Sequence, residues 1–151
     1  MNPEPSPDDT DADRADRLAR FIEEFRALPA DSDRKREIIA ELDDNTAAQP
    51  FLVLVVADAG EYDLARTEAA TVLRLWPPTD PDLRHRAGRA LLAALRDPEE
   101  DLVRQYAAMA LGPYASDDPA VTEALIAAGG SGEDPLVQAC ARSALEEAGL
   151  A

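Results

Sequence analysis

The sequence predicts an all-α protein, and three observations carry that expectation. The apolar set is 30 Ala and 18 Leu against only 7 Val, 4 Ile and 7 aromatic residues, so the core is to be built from small, unbranched helix formers with little left for a sheet. Apolar residues recur at three- and four-residue spacing along most of the chain. Prolines and glycines fall between these stretches and not inside them. At 151 residues and 46% apolar composition, the chain suits one domain with a buried core.

Residues 1–13 carry Pro3, Pro5 and Pro7 and then Asp8, Asp9, Asp11 and Asp13 without apolar periodicity, which reads as a disordered acidic tail. Leu18, Phe21, Ile22, Phe25 and Leu28 then mark a helix over about 12–28, ended by Pro29. Asp31, Ser32 and Asp33 are N-cap candidates for a short helix bearing Ile38, Ile39 and Leu42. The continuous run Phe51 to Ala57 fits a buried strand or a helix buried all round. A lone strand would have no partner, and Thr46 and Pro50 can open a helix, so helix is chosen.

Beyond Gly60 the periodicity sharpens. Leu64 to Trp76 forms one stripe, stopped by Pro77-Pro78, and Thr79 or Asp80 caps the next helix, which carries Leu83 to Leu95. Leu102 to Leu111 follows after Asp97-Pro98 and ends at Gly112-Pro113. Asp117 or Asp118 opens a helix that stops at Gly129-Gly130, and a last one runs from about Pro135 to Ala148. Eight helices result.

Three of these stretches superpose without gaps. Asp63 to Leu73 aligns with Asp101 to Leu111 at an offset of 38, and Leu102 onward aligns with Leu136 to Leu145 at an offset of 34. Such periods belong to two-helix solenoid units, which bury their apolar stripes by stacking on neighbours. Asp97-Pro98, Leu102-Val103-Arg104, Ala107-Ala108 and Ala110-Leu111-Gly112 resemble the signature of HEAT repeats, particularly the bacterial HEAT-like group related to phycobilisome lyases. The resemblance covers Glu61 to Leu150. It implies a short right-handed α-solenoid of antiparallel helix pairs over 14–150, with units at 61–96 and 97–132 and a half-length capping unit at 133–150, where Gln138 replaces the arginine. It also implies that the second helix of each pair lines the concave, partner-binding side. Arg66 and Arg104 lie one turn into their helices, near Asp58 and Asp63 and near Asp97 and Asp101. Their guanidinium groups are expected to fix the inter-repeat turns by bonding a loop carboxylate or carbonyl.

Catalytic and metal chemistry finds few candidates. His85 is the single histidine and lies between Arg84 and Arg86, and Cys140 is the single cysteine, on an apolar stripe. No triad, disulfide or His-rich metal site can be assembled from them, and neither cofactor nor metal is expected. Gly129-Gly130-Ser131-Gly132 is followed by Glu133-Asp134, which would repel a phosphate, so it reads as a turn. The acid pairs Glu99-Glu100 and Asp117-Asp118 suit helix capping. No enzyme is expected.

Charge is more informative. The formal net charge is −16, which opposes nucleic-acid and anionic-membrane binding and favours another protein, neutral or basic, as partner. The apolar run at 51–57 is too short to span a bilayer, and the N-terminus lacks a signal-peptide layout, so a cytoplasmic, bacterial protein is expected. By segment the charge is −4 over 1–30, −4 over 31–60, +1 over 61–96 and −9 over 97–151. Within the balanced segment, Arg86, Arg89 and Arg96 share a helix stripe and are candidate partner contacts. The leading expectation is therefore a non-enzymatic HEAT-like scaffold or adaptor of unassigned oligomeric state. An acidic inhibitor or immunity-type protein that neutralises a basic toxin or nuclease is the first alternative. The resemblance adds a tetrapyrrole-handling lyase-like protein and, less compatibly with one Trp and this charge, a DNA glycosylase.

Overall fold

The computed structural model describes residues 7–150, with side chains from Ala12 onward. Among these residues it is all-helical, with eight α-helices and no strand. They are α1 (Pro7–Ala27), α2 (Arg34–Glu41), α3 (Gln49–Ala57), α4 (Asp63–Leu75), α5 (Pro81–Leu95), α6 (Asp101–Ala110), α7 (Pro119–Ala128) and α8 (Pro135–Glu147). Short 3₁₀ turns at Thr46–Ala48 and Gly112–Tyr114 precede α3 and follow α6. No helix among the described residues is long and apolar enough to cross a membrane.

The run at 51–57 is helical, and its all-round hydrophobicity has a tertiary cause. Phe51, Leu52, Val53, Val55 and Val56 are buried, leaving Leu54 as the exposed member of the run's large side chains. On one side Phe51 meets Phe25 of α1 edge-on, with ring centroids 5.2 Å apart. On the others α3 packs against α4 and α5. At the N-terminus, α1 begins at Pro7 and so takes in the second half of the stretch expected as an acidic tail; residues 1–6 lie outside the described residues.

Aspartate caps open three of the helices, α5, α7 and α8. Asp80 accepts from Leu83 N–H, Asp118 from Ala120 N–H, and Asp134 from Leu136 and Val137 N–H. The expected capping by Glu99-Glu100 does not occur: Glu100 stands at the N-cap of α6 without a side-chain bond. Asp97 instead folds back onto Glu99 N–H at 2.9 Å, so the acid that orders this loop lies three residues earlier. Asp33 precedes α2 but likewise makes no cap bond; it pairs with Arg36 at 2.9 Å.

Contacts run in two rows. α2, α4, α6 and α8 touch in succession, and so do α3, α5 and α7, with a looser approach of α7 to α5. Between the rows the closely packed pairs are α3 with α4, α5 with α6, and α7 with α8. The packed pairs thus bracket the short loops at 58–62, 96–100 and 129–134. Alanine makes the close approach possible: Ala65, Ala69, Ala87, Ala94, Ala107, Ala108, Ala110, Ala141 and Ala144 are all essentially inaccessible.

Tyr114 pins the opposite ends of the pairs. It is buried in the 3₁₀ turn after α6, stacks against Gly88 of α5, and donates its hydroxyl to Leu73 O at 2.6 Å, near the C-terminus of α4. That bond satisfies a carbonyl that the helix end leaves without an intrahelical partner.

Candidate functional site

The loops between packed pairs are held by one cation from each helix of the α2–α4–α6 row. Arg66 of α4 donates through Nε and Nη2 to Val56 O, the end of α3, at 3.2 and 3.0 Å. Its Nη1 reaches forward to Asp97 Oδ2 at 2.8 Å. Arg104 of α6 repeats the arrangement, donating to Asp97 O at 2.8 Å, to Asp101, and forward to Glu133 at 3.3 Å. Lys35 of α2 makes the same forward contact, with Nζ 2.6 Å from Glu61. Gln138 of α8 occupies the fourth position and donates to Gly130 O at 2.7 Å.

This corrects the expected partners of Arg66, whereas Arg104 bonds the residues expected of it. Arg66 ignores Asp58 and Asp63 and spans two loops, from a carbonyl of the preceding one to the carboxylate of the next. Arg104 does bond Asp97 and Asp101, but through the backbone of the former, because the Asp97 carboxylate is already committed to Arg66. Arg66 is 3% and Asp97 9% exposed, so this is a buried, hydrogen-bonded ion pair. The Arg66 hydrogen bond, followed by the Glu99 N–H, holds the Asp97 carboxyl below its ordinary value of 3.8. Pro98 follows in the loop without a polar role.

The three candidate partner contacts on α5 separate. Arg86 pairs within its own helix with Asp82 at 3.4 Å, and Arg89 crosses to Asp118 at the start of α7 at 3.1 Å. Both remain about half exposed, at 57% and 52%, but each is already neutralised. Arg96 differs. Of the eleven basic side chains between residues 34 and 150, it alone has neither an ion pair nor a hydrogen bond among the described residues.

Arg96 stands between two cavities. One, of about 460 Å³, is lined by Leu95, Arg96, Arg104, Ala124, Ala127 and Ala128, with Asp97 and Glu133 at its polar side. The other, of about 390 Å³, has Ala57, Ala59, Ala93 and Arg96 in its wall, with Asp97 and Glu99. Arg104, which lines the first cavity, has its Nε buried with no hydrogen-bond partner among the described residues. The sequence pattern gave no sign of either cavity, since each is lined by residues of helices and loops far apart in the chain.

A third cavity, of about 340 Å³, lies at the other end of α5 between Thr79, Arg84, His85, Gly88, Tyr114 and Val121. Its charges are spent internally. Arg84 Nε lies 2.5 Å from Asp117, and Nη2 donates to Pro113 O at 2.6 Å. Arg84 also lies over the Tyr114 ring at 5.2 Å. His85 is exposed, 4.0 Å from Asp118. Cys140 is half-buried on α8, and burial pushes its thiol up. Gly129 and Gly130 direct their carbonyls to Arg142 and Gln138, which is the geometry of an inter-helix turn. Among the described residues no group of His, Cys, Asp and Glu is arranged to hold a metal ion. No family model matches the chain, nor does any curated protein or solved structure.

Proposed function

We propose that the chain is a non-enzymatic protein-interaction module, a short HEAT-like α-solenoid whose α3–α5–α7 row presents the binding face to another protein. The observation that carries this reading is the recurring tie from one helix to the next loop, Lys35 to Glu61, Arg66 to Asp97 and Arg104 to Glu133. It recurs once per packed pair and locks neighbouring units in register, as stacking repeats require. A scaffold of this kind holds its faces rigid, and specificity then comes from the side chains and cavities on one row.

Site-specific photo-crosslinking tests it. A photoreactive residue is placed on α5 at 86, 89 or 96 and, in separate variants, at exposed Ser143 of α8. Discrete adducts in native lysate from the α5 positions and none from position 143 are expected. Equal labelling from both rows, or none from α5, would refute the reading.

A narrower version is an acidic inhibitor of a basic protein, favoured by the charge of −9 over residues 97–151. Electrostatic steering would make its association rate fall steeply with salt. Adducts whose yield is unchanged between low and high salt would leave only the general module.

A further inference from the structure

We infer that Arg96 is the anchor for a single carboxylate on an extended partner segment, with short or branched apolar residues on either side of it seated in the two flanking cavities. The inference rests on the interaction-module reading and names the chemistry that the α5 face would recognise.

Three features converge on it. First, Arg96 is a cation without an acceptor among the described residues, in a chain that has 31 acidic against 15 basic side chains, although Glu99 and Glu100 follow within four residues. Every other basic side chain from α2 to α8 has found an acceptor. A guanidinium offers five donors in a fixed fork that suits a carboxylate edge. Second, each of the cavities on its two sides has an apolar part, formed by Ala57, Ala59, Ala93 and Pro98 on one side and by Leu95, Ala124, Ala127 and Ala128 on the other, beside a charged part. Their volumes leave room for apolar side chains, which would bury surface that Arg96 alone cannot. Third, Arg104 in the wall of the larger cavity keeps its Nε buried without an acceptor among the described residues, a donor that Asp97 O, Asp101 and Glu133 leave unsatisfied.

The same surroundings select among anions. Asp97, Glu99 and Glu133 stand at the cavity rims, and Asp97 and Glu133 are engaged by Arg66 and Arg104. A phosphate dianion would bring two negative charges to one uncommitted guanidinium beside Glu99, which has no ion pair among the described residues, and would be disfavoured. A carboxylate monoanion is matched by Arg96 one to one. A lysine in the same place would face Arg96 directly.

The test uses the full chain, ¹⁵N-labelled, titrated with capped five-residue peptides Ac-Ala-Φ-X-Φ-Ala-NH₂. Φ is Ala, Val, Leu or Ile, and X is Glu, Gln, phosphoserine or Lys. At least one Glu peptide is expected to bind with shifts centred on the amides of Ala93, Arg96 and Ala127. The matching Gln, phosphoserine and Lys peptides should bind about tenfold more weakly or not at all. Arg96→Ala should reduce Glu-peptide affinity by a similar factor. Ala127→Trp, which fills the larger cavity, should do so as well, while Ser143→Trp on α8 leaves it unchanged. The amide spectrum of each variant reports whether it is folded. Binding without preference for Glu over Gln, retention of affinity in folded Arg96→Ala, or no binding by any Glu peptide would overturn the inference. Cross-linking from positions 86 and 89 but not 96 would also remove it while leaving the module standing, and loss of α5 adducts altogether would remove both.

Discussion

Replacing Arg66 by Met removes three hydrogen bonds from a largely buried site. Nε and Nη2 serve Val56 O, and Nη1 serves Asp97 Oδ2 at 2.8 Å. Arg66 is 3% and Asp97 9% exposed, so the substitution strands a buried carboxylate and a helix-terminal carbonyl. Breaking a buried pair from one side costs about 3–5 kcal/mol, a large part of the roughly 5–15 kcal/mol that holds a domain folded. Asp97→Asn keeps one oxygen, for either the Glu99 N–H or Arg66, and turns an NH₂ donor to the other; it should cost about 1–3 kcal/mol. If the two side chains act on each other, the double variant falls short of the sum of the singles by about 1–3 kcal/mol. Arg86→Met, on the solvent side of α5, should change stability by under about 0.5 kcal/mol. Urea denaturation followed by far-UV circular dichroism measures all four, with the m-value checking that the transition remains two-state. A cost below about 1 kcal/mol for Arg66→Met at unchanged m, on a scale where a buried pair costs several, would refute the view that this pair locks α4 to the loop before α6.

The pH dependence follows from the same pair. Asp97 is held below 3.8 chiefly by Arg66, so its contribution is fully present above that value and is lost as pH falls through the lower folded-state value. The stability gap between the parent and Arg66→Met should therefore narrow as pH drops below 3.8; a constant gap would contradict it. Gly88 lies inside α5, where an added Cβ would meet Tyr114 Cδ1 at 3.6 Å, an ordinary contact. Gly88→Ala should stabilise by about 0.5–1 kcal/mol through helix propensity, and a lower melting temperature would show that the space is not there. Tyr114→Phe strands Leu73 O, which now accepts the hydroxyl at 2.6 Å. It should cost about 1–2 kcal/mol, whereas a thermal midpoint unchanged from the parent would deny that bond a role.

The helices were legible because their signals are local. Apolar spacing marks each stripe, and proline, glycine and the aspartates before α5, α7 and α8 mark the breaks. The start of α1 was not, for a physical reason. Proline at a first helical position and aspartates in the first turn favour a helix N-terminus, yet the same residues without apolar neighbours also describe a disordered segment. Pro7, Asp8 and Asp9 satisfy both descriptions. The loop ties were half legible. Arg66 and Arg104 stand out from their repeated contexts, but the forward acids are Glu61, Asp97 and Glu133 at differing distances from their helices. Lys35 sits in the stretch where the repeat is faintest. A cation that reaches across to the next pair leaves no mark at three- or four-residue spacing.

The arginine stripe shows why a sequence can place candidate residues on one face and still not rank them. Arg86, Arg89 and Arg96 lie at spacings of three and seven, and on an isolated helix they would be equivalent. Packing divides them. Asp118 is fixed beneath the first half of α5 because it caps α7, and from there it neutralises Arg89, while Asp82 one turn back takes Arg86. Seven residues along the axis separate Arg89 from Arg96, roughly 10 Å at 1.5 Å per residue, which exceeds the screening length of about 8 Å at physiological salt. Asp118 cannot serve both ends of the helix. The acid closest in sequence to Arg96 is Asp97, and it is turned away to Arg66. The ion pair that ties α4 to the loop before α6 is thus the one that withholds Asp97 from Arg96, which has no acceptor among the described residues and stands between two cavities.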